Sequence, residues 1–144
     1  MKIYIGCDHA GFDLKEKIKN YLINNNIIVI DEGCYSLENV DYPDFAHKVG
    51  KQINNDDENL GIVICGSGNG VNMVVNKYSN VRSALCWTKE ISELARLHNN
   101  ANICAIPARF ITDDTALDII NIFLNTSFEG GRHQKRVDKI PINS

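Results

Sequence analysis

The sequence predicts an α/β protein, a Rossmann-like three-layer αβα sandwich built on a five-stranded parallel sheet. Two observations predict this class: short β-rich runs recur along the chain, and segments with helical spacing separate most of them. Parallel strands need crossover connections, and the crossover helices cover both faces of the sheet. The 144 residues contain no Pro/Gly/Ser-rich linker and no internal repeat. We therefore expect one domain over 1–144, with an irregular C-terminal arm over 128–144.

The predicted strands are runs rich in β-branched and other apolar residues. In chain order they cover residues 2–7, 27–31, 60–65, 81–86 and 101–106. The third run, LGIVIC, is apolar throughout, which is typical of a strand that is buried on both faces of a sheet.

The first predicted helix follows the first strand. Residues 14, 18, 21 and 22 are apolar and share one helix face, whereas Lys15, Lys17 and Lys19 point elsewhere. This spacing predicts an amphipathic helix. Weaker patterns of the same kind predict helices over 44–53, 71–77, 88–97 and 112–125.

Composition and charge narrow the range of partners. The formal net charge is −3 at pH 7, which leaves no basic excess for nucleic acid or an anionic membrane surface. No apolar stretch approaches the length of a membrane span, and the first residues are too mixed for a signal peptide. The five cysteines include no C-x-x-C pair, which argues against a disulfide framework and a structural zinc site. We expect a cytoplasmic protein with reduced thiols.

Candidate functional residues flank the predicted strands. In open α/β sheets, ligands bind outside the carboxyl ends of the strands. Asp8 and His9 follow the first strand, the turn CGSGNG (65–70) follows the third, and the segment 98–100 (HNN) precedes the last. We expect these three groups to form one coherent set.

The glycine-rich turn does not match the common phosphate-binding motifs. A dinucleotide fingerprint requires a glycine where Val71 stands, and neither a Walker A lysine nor the first glycine of a hydrolase elbow is present. A glycine turn that opens a helix still presents backbone N–H groups to an anion or a developing oxyanion. Cys65, at its edge, is either a base or nucleophile whose thiolate the helix end favours, or a buried strand cysteine.

The histidines and the C-terminal arm offer further candidates. His9 and His98 can exchange protons near neutral pH, as a general acid must, whereas His47 is interpreted as structural. No H-E-x-x-H motif or tight cluster of ligands favours a metal site. The arm carries Arg132, His133, Lys135 and Arg136, and is either a solvated basic end or an anion-binding segment.

Six segments in the same order resemble the type B ribose-5-phosphate isomerase family, which also includes galactose-6-phosphate and allose-6-phosphate isomerases. They are GCDHAGFDLK, DYPDFAHK (41–48), GIVICGSGNGVNMVVNK (61–77), RSALC (82–86), HNNANICAIPAR (98–109) and FEGGRHQKRV (128–137). The resemblance covers nearly the whole chain. It implies a cofactor-free interconversion of ribose 5-phosphate and ribulose 5-phosphate through a cis-enediolate, with no metal.

The resemblance also implies a role for each site residue. Cys65 matches the base, His98 the proton donor for ring opening, and Asp8 and Asn99 residues close to the sugar. The turn would stabilise the enediolate through the Ser67 hydroxyl and backbone N–H groups of Gly66, Ser67, Gly68, Asn69 and Gly70. The phosphate ligands would be His9, Arg109, Arg132 and Arg136, since guanidinium groups pair well with phosphate oxygens. Tyr42 is expected at the edge of the site.

The family resemblance implies a homodimer or homotetramer with sites at subunit interfaces. His98, Asn99 and Arg109 could then face a site whose cysteine belongs to a partner. Three positions depart from the common pattern: Ser67 replaces a threonine, Pro107 replaces a glycine, and Val71 stands where another branch of the family has a glutamate. Ser67 retains the hydroxyl, Pro107 affects the placement of Arg109, and Cys65 fits the cysteine branch.

Other functions stay open on the sequence alone. A hexose 6-phosphate (allose or galactose 6-phosphate) could be the substrate, because one more carbon changes the length of the site and not its catalytic groups. A non-catalytic nucleotide-binding module and a thiol-redox protein are the alternatives from other classes. The missing third glycine argues against the first of these, and the lack of a nearby resolving cysteine argues against the second.

Overall fold

The computed structural model describes residues 1–142 and contains one sheet of five parallel strands. The strands are β1 (Ile3–Cys7), β2 (Val29–Asp31), β3 (Leu60–Cys65), β4 (Ser83–Leu85) and β5 (Ile103–Pro107). Their order across the sheet is β2-β1-β3-β5-β4. The predicted α/β class with a five-stranded parallel sheet is confirmed.

Helices follow the strands and cover both faces of the sheet. They are α1 (Phe12–Asn24), α2 (Tyr42–Asn55), α3 (Asn69–Val75), α4 (Lys89–Asn99), α5 (Asp113–Asn125) and the short α6 (Gln134–Val137). Within residues 1–142, none of these helices combines the length and the apolar character that crossing a membrane requires.

The core consists of two layers, one on each face of the sheet. On one face, Ile62, Ile64 and Ile106 pack against residues of α1 and α5 such as Ile18 and Phe123. On the other face, the layer comprises residues of α2 and α3 together with alternate strand residues: Ala46, Val49, Ile53, Val63, Cys65, Val71, Val75, Val81, Ile103 and Ala105. Successive strand residues point to opposite faces, so both helical layers need apolar strand residues.

Two details of the elements differ from the predictions. The edge strands β2 and β4 each contain three residues, fewer than predicted, because each has a partner strand on one side. The C-terminal arm, predicted to be irregular, contains a 3-10 turn (Gly131–His133) followed by α6. Its last two residues, 143–144, lie outside the described residues.

Lys15 of α1 lies in a buried ion pair. Its side chain is fully buried and donates hydrogen bonds to both carboxylate oxygens of Asp31, at 2.7 and 2.8 Å. Glu16 lies 3.3 Å from the same ammonium nitrogen, and Lys19 donates to Asp31 at 2.9 Å. A buried charge is tolerated when it is paired in this way, and the helical pattern, which placed Lys15 off the apolar face of α1, gave no sign of this burial.

Candidate active site

A cavity of about 640 Å³ lies at the carboxyl ends of β1 and β3. These two strands are neighbours, and their following segments lead to α1 and α3 on opposite faces of the sheet. Such a divergence opens a crevice between the loops. Nine predicted site residues line the cavity: Asp8, His9, Tyr42, Cys65, Gly66, Ser67, Asn69, Gly70 and Arg109.

Cys65 is the last residue of β3 and is 5% exposed. Its Sγ accepts a hydrogen bond from the backbone N–H of Gly68 at 3.2 Å. The strand end therefore presents a hydrogen-bonded sulfur at the base of the cavity.

Gly68 makes this hydrogen bond possible through its left-handed backbone, with φ of 74°. A Cβ at this position would lie 2.4 Å from Leu85 Cδ1, so a side chain here would displace the turn. The next amide, of Asn69, donates to the Ser67 hydroxyl oxygen at 3.3 Å. This acceptor contact leaves the Ser67 hydroxyl proton free to be donated to a ligand.

Asp8 and His9 follow β1 on the other side of the cavity. Asp8 is 8% exposed, and its Oδ1 caps the 3-10 turn His9–Gly11 by accepting from Gly11 N–H at 3.1 Å. His9 Nδ1 accepts from Val40 N–H at 3.2 Å. Because Nδ1 is an acceptor here, a neutral His9 ring carries its proton on Nε2 and can donate it.

Tyr42 and Gly70 meet at the rim of the cavity. Tyr42 is the first residue of α2, and Gly70 lies in the first turn of α3. A Cβ on Gly70 would lie 2.6 Å from Tyr42 Cζ, so the tyrosine ring rests directly over the glycine backbone. The absence of a side chain at Gly70 thus leaves room for the tyrosine ring at the rim of the cavity.

Arg109 lies beside Cys65 of its own chain. Ala108 N–H donates to Cys65 O at 2.9 Å, and Arg109 N–H donates to Gly66 O at 3.0 Å. These contacts extend the pairing of β3 with β5 past Pro107, which pairs with Cys65 in the register. Arg109 thus lines the cavity with the cysteine of its own chain, and its role as a phosphate ligand, there or in the site of a partner, stays a prediction.

His98 and Asn99 are the last two residues of α4. They lie on the side of the sheet where the strands begin, opposite the side where Cys65 lies. The adjoining residues contact the amino ends of strands: Asn102 O accepts from Gly61 N–H at 2.9 Å, and Asn102 Oδ1 accepts from Arg82 N–H at 2.7 Å. A helix that precedes a parallel strand returns the chain to its amino end. The expectation that 98–100 joins Asp8 and Cys65 in one set within a chain was wrong.

The C-terminal arm packs against His98. The rings of His98 and His133 are stacked, with centroids 4.2 Å apart and an angle of 15° between the planes. Arg132 and Arg136, the predicted phosphate ligands of the arm, flank His133 and are exposed. The predicted site residues thus form two groups. Ten lie around the cavity, namely the nine that line it and Gly68, and four (His98, Asn99, Arg132, Arg136) lie on the side of the sheet where the strands begin.

One group of potential metal ligands lies in the described part of the chain. His98, Glu129 and His133 place ligand atoms within 4.8 Å of one another. A metal ion binds in the plane of an imidazole, and two stacked, nearly parallel rings share no such in-plane position. This arrangement does not favour the binding of an ion.

Sequence reasoning missed an apolar rim beside the cavity, formed by Met73, Trp87 and Phe110. These side chains are 65%, 51% and 74% exposed, respectively. Met73 and Phe110 line the cavity, and Trp87 lies with Phe110 and Leu85 in an adjoining depression. Contiguous exposed apolar side chains mark surfaces that contact other molecules. Neither residue pattern nor spacing reveals this, because the three side chains come from different segments.

Comparison with known proteins decides the family. A model of the ribose/galactose isomerase family matches residues 3–140. The chain belongs to the ribose/galactose isomerase family. Curated members similar to it include the probable ribose-5-phosphate isomerase B of Mycoplasma genitalium, 45% identical over 96% of this chain and 92% of that protein. The ribose-5-phosphate isomerase B of Escherichia coli is 38% identical over 96% of this chain and 93% of its own length.

Solved structures of family members share the fold. The ribose 5-phosphate isomerase of Thermotoga maritima has a TM-score of 0.94 and 48% identity, covering 97% of both chains. The Mycoplasma genitalium enzyme, solved with bound ribulose-5-phosphate, has a TM-score of 0.94 and 43% identity over 96% of this chain and 93% of that one. The resemblance to type B ribose-5-phosphate isomerases drawn from the sequence is confirmed.

Proposed function

We propose that this protein is an aldose–ketose isomerase that interconverts ribose 5-phosphate and ribulose 5-phosphate without a cofactor. One observation carries the proposal: Cys65 Sγ lies in the cavity under the Gly68 amide, in a family whose Mycoplasma genitalium member was solved with ribulose-5-phosphate. The chain is proposed to act as one domain. Five free cysteines in the described residues are consistent with the proposed cytoplasmic location.

Cys65 is the proposed base. Its thiolate takes the proton from carbon 2 of the open-chain aldose, and the electron pair of that C–H bond forms the C1–C2 double bond of an enediolate. The carbonyl π electrons move to the oxygen on carbon 1. Transfer of the hydroxyl proton from the oxygen on carbon 2 to the oxygen on carbon 1, and return of the proton from Cys65 to carbon 1, gives the ketose. No atom or electron is lost, so no cofactor is required.

The turn after β3 is the proposed site of oxyanion stabilisation. Gly66, Ser67 and Gly70 of the turn line the cavity beside the sulfur, and their backbone N–H groups and the Ser67 hydroxyl are the proposed donors. Donors that are already oriented stabilise the negative charge as it develops, and each contributes about 3 kcal/mol in well-studied cases. Asp8, buried on the opposite wall, is proposed to hold the sugar hydroxyls, with Tyr42 at the edge.

Ring opening is proposed to need a second copy of the chain. The proton donor His98 and the sugar ligand Asn99 lie near the amino ends of the strands, whereas Cys65 lies at the carboxyl end of β3. A homodimer, alone or as half of a tetramer, can place His98 of one copy over Cys65 of the other. The apolar rim of Met73, Trp87 and Phe110 is the surface that such a copy would cover.

The phosphate is proposed to bind between the two groups of basic residues. His9 and Arg109 line the cavity beside Cys65, and Arg132 and Arg136 are exposed on the arm. In the proposed dimer the arm of one copy reaches the cavity of the other. Two or more guanidinium groups can then bind the phosphate oxygens bidentately and orient carbon 2 toward the sulfur.

Initial rates with three substrates test the proposal. We expect the purified protein to isomerise ribose 5-phosphate in the presence of EDTA, and faster than allose 6-phosphate or galactose 6-phosphate. Much faster turnover of either hexose phosphate would move the assignment to that substrate. Lack of turnover with all three sugars, combined with tight nucleotide binding in calorimetry, would indicate the non-catalytic alternative.

A further inference from the structure

Glu129 lies between two stacked histidines at the start of the C-terminal arm. Its Oε2 is 3.8 Å from His98 Nε2 and 3.6 Å from His133 Nε2. The Glu129 backbone is held beside α4, because its N–H donates to Leu97 O at 3.1 Å. One carboxylate thus lies near both imidazoles, and the stack favours one positive charge on the pair over two, since two adjacent charges would repel.

Burial decides which of the two rings carries the charge. The side chain of His133 is 9% exposed, against 38% for His98. Burial lowers the pKa of His133, and the positive charges on His98, Arg132 and Arg136 lower it further, with Glu129 as the opposing influence. His133 Nε2 is also buried without a hydrogen-bond partner among residues 1–142. His133 is therefore a neutral ring at physiological pH, and the carboxylate is available to His98.

The other groups around His98 agree with this assignment. His98 lies in the last turn of the eleven-residue α4, where the helix dipole favours a cation. Arg96, on the same helix, donates instead to Thr126 O at 3.1 Å and to Ala101 O. Arg132 and Arg136 on the arm are positive, so Glu129 is the carboxylate that faces the pair within the described residues.

We propose that Glu129 and His133 are positioning residues for His98: the neutral His133 ring fixes the plane of the His98 ring, and Glu129 holds the catalytic proton on it. The inference rests on the proposed role of His98 as proton donor. A histidine that donates a proton near neutral pH must be protonated at the start of each turnover, and its donor atom must point in one direction. The stack supplies the direction, and the carboxylate lies 3.8 Å from the nitrogen that carries the proton.

Nuclear magnetic resonance titration of the full-length protein tests the electrostatic part without a substrate. We expect Glu129→Gln to move the titration midpoint of His98 to lower pH, because the neutral amide that replaces the carboxylate at 3.8 Å no longer favours the imidazolium. Glu93→Gln, on the exposed side of α4, is the matched control and should leave the midpoint in place. An unchanged His98 midpoint in Glu129→Gln would overturn the role of Glu129.

Kinetics with ribose 5-phosphate test the orientation. We expect the alkaline fall in kcat of Glu129→Gln to begin at lower pH by the same amount as the midpoint. His133→Phe, which retains a flat ring, should keep most of the wild-type kcat, whereas His133→Ala should lower kcat about tenfold with KM little changed. Equal kcat values for the two His133 variants, both shown to be folded by circular dichroism, would remove the stacking role.

These results separate this inference from the proposed function. A wild-type protein that lacks isomerase activity would contradict the proposed function, while the titration would still show whether Glu129 controls the protonation of His98. An active wild type whose Glu129→Gln variant shows an unshifted midpoint and an unshifted pH profile would contradict this inference alone.

Discussion

The backbone N–H of Gly68 donates a hydrogen bond to Cys65 Sγ at 3.2 Å. This contact joins the end of β3 to the start of α3, and it requires the left-handed backbone of a residue without a side chain. The cysteine and the glycine turn are therefore one unit. The turn supports the sulfur and also presents further N–H groups to whatever lies above it, so the chemistry of the cavity depends on both.

Replacement of Cys65 by alanine should abolish most of the activity. We expect kcat for ribose 5-phosphate to fall by about two to four orders of magnitude, the usual contribution of general base catalysis, with substrate binding largely retained. Calorimetry with the substrate and a coupled assay measure the two effects. Cys104→Ala, at a fully buried cysteine that is the second residue of β5, is the control. It should cost about 1 kcal/mol of stability and leave kcat unchanged. Near-normal turnover in Cys65→Ala would refute the assigned base.

Replacement of Gly70 by alanine should act through Tyr42. The new Cβ would lie 2.6 Å from Tyr42 Cζ, and the ring, which is 40% exposed, can move away toward solvent. We expect unchanged or slightly higher stability, since alanine favours a helix over glycine by about 1 kcal/mol, but a several-fold higher KM. A double-mutant cycle checks the cause: Gly70→Ala should add little to Tyr42→Ala. Fully additive effects of the two substitutions would show that the contact is not responsible.

Mixed dimers should show whether Cys65 and His98 act across an interface. Homogeneous Cys65→Ala and His98→Gln proteins should each be almost inactive. When the two chains are co-expressed, a mixed dimer contains one site with both substitutions and one site with neither, because each site takes Cys65 and His98 from different copies. Random assembly should restore about one quarter of the wild-type activity.

The controls for this experiment use identical substitutions on both chains. Two Cys65→Ala chains with different affinity tags should form dimers and stay inactive. If the mixed Cys65→Ala and His98→Gln dimers assemble and also stay inactive, the two residues do not share a site across an interface, and the proposed homodimeric site is wrong.

The sequence predicts the sheet and one half of the site well, for physical reasons. Apolar strands that alternate with helices leave few arrangements other than a covered parallel sheet, and the carboxyl ends of β1 and β3 then meet at one edge. Asp8 and Cys65 are found together for that reason. His98 was grouped with them because it also adjoins a strand. It precedes β5 instead of following it, so it lies near the amino ends of the strands.

The contacts of the arm and of Lys15 could not be predicted in the same way. The stack of His98 on His133 joins residues from two segments whose packing depends on the whole fold. Lys15 falls off the apolar face of α1 by periodicity, and its burial follows from the position of Asp31 at the end of β2. Local pattern determines which residues form an element, whereas a buried ion pair depends on which elements become neighbours.

The last prediction concerns this buried pair, in which the two partners should contribute unequally to stability. Asp31→Asn leaves the fully buried Lys15 ammonium without its main partner, and we expect a loss of about 3 kcal/mol in the free energy of unfolding. Lys15→Met removes the buried charge, while Asp31 keeps Lys19 at 2.9 Å and the Gly33 N–H at 2.9 Å. This variant should lose only about 1 kcal/mol. Urea titration at neutral pH measures both values.

Acidification gives the same pair a second test. Burial opposes the ionisation of Asp31, but the hydrogen bonds from Lys15 and Lys19 outweigh it, so the pKa of Asp31 lies below its ordinary value. A lowered folded-state pKa contributes stability above the unfolded-state value, and this contribution is lost as the pH falls through the folded-state value. The stability difference between wild type and Asp31→Asn should therefore stay constant above about pH 5 and shrink below about pH 4. A difference that grows on acidification, or an Asp31→Asn variant more stable than Lys15→Met, would contradict the assigned ion pair.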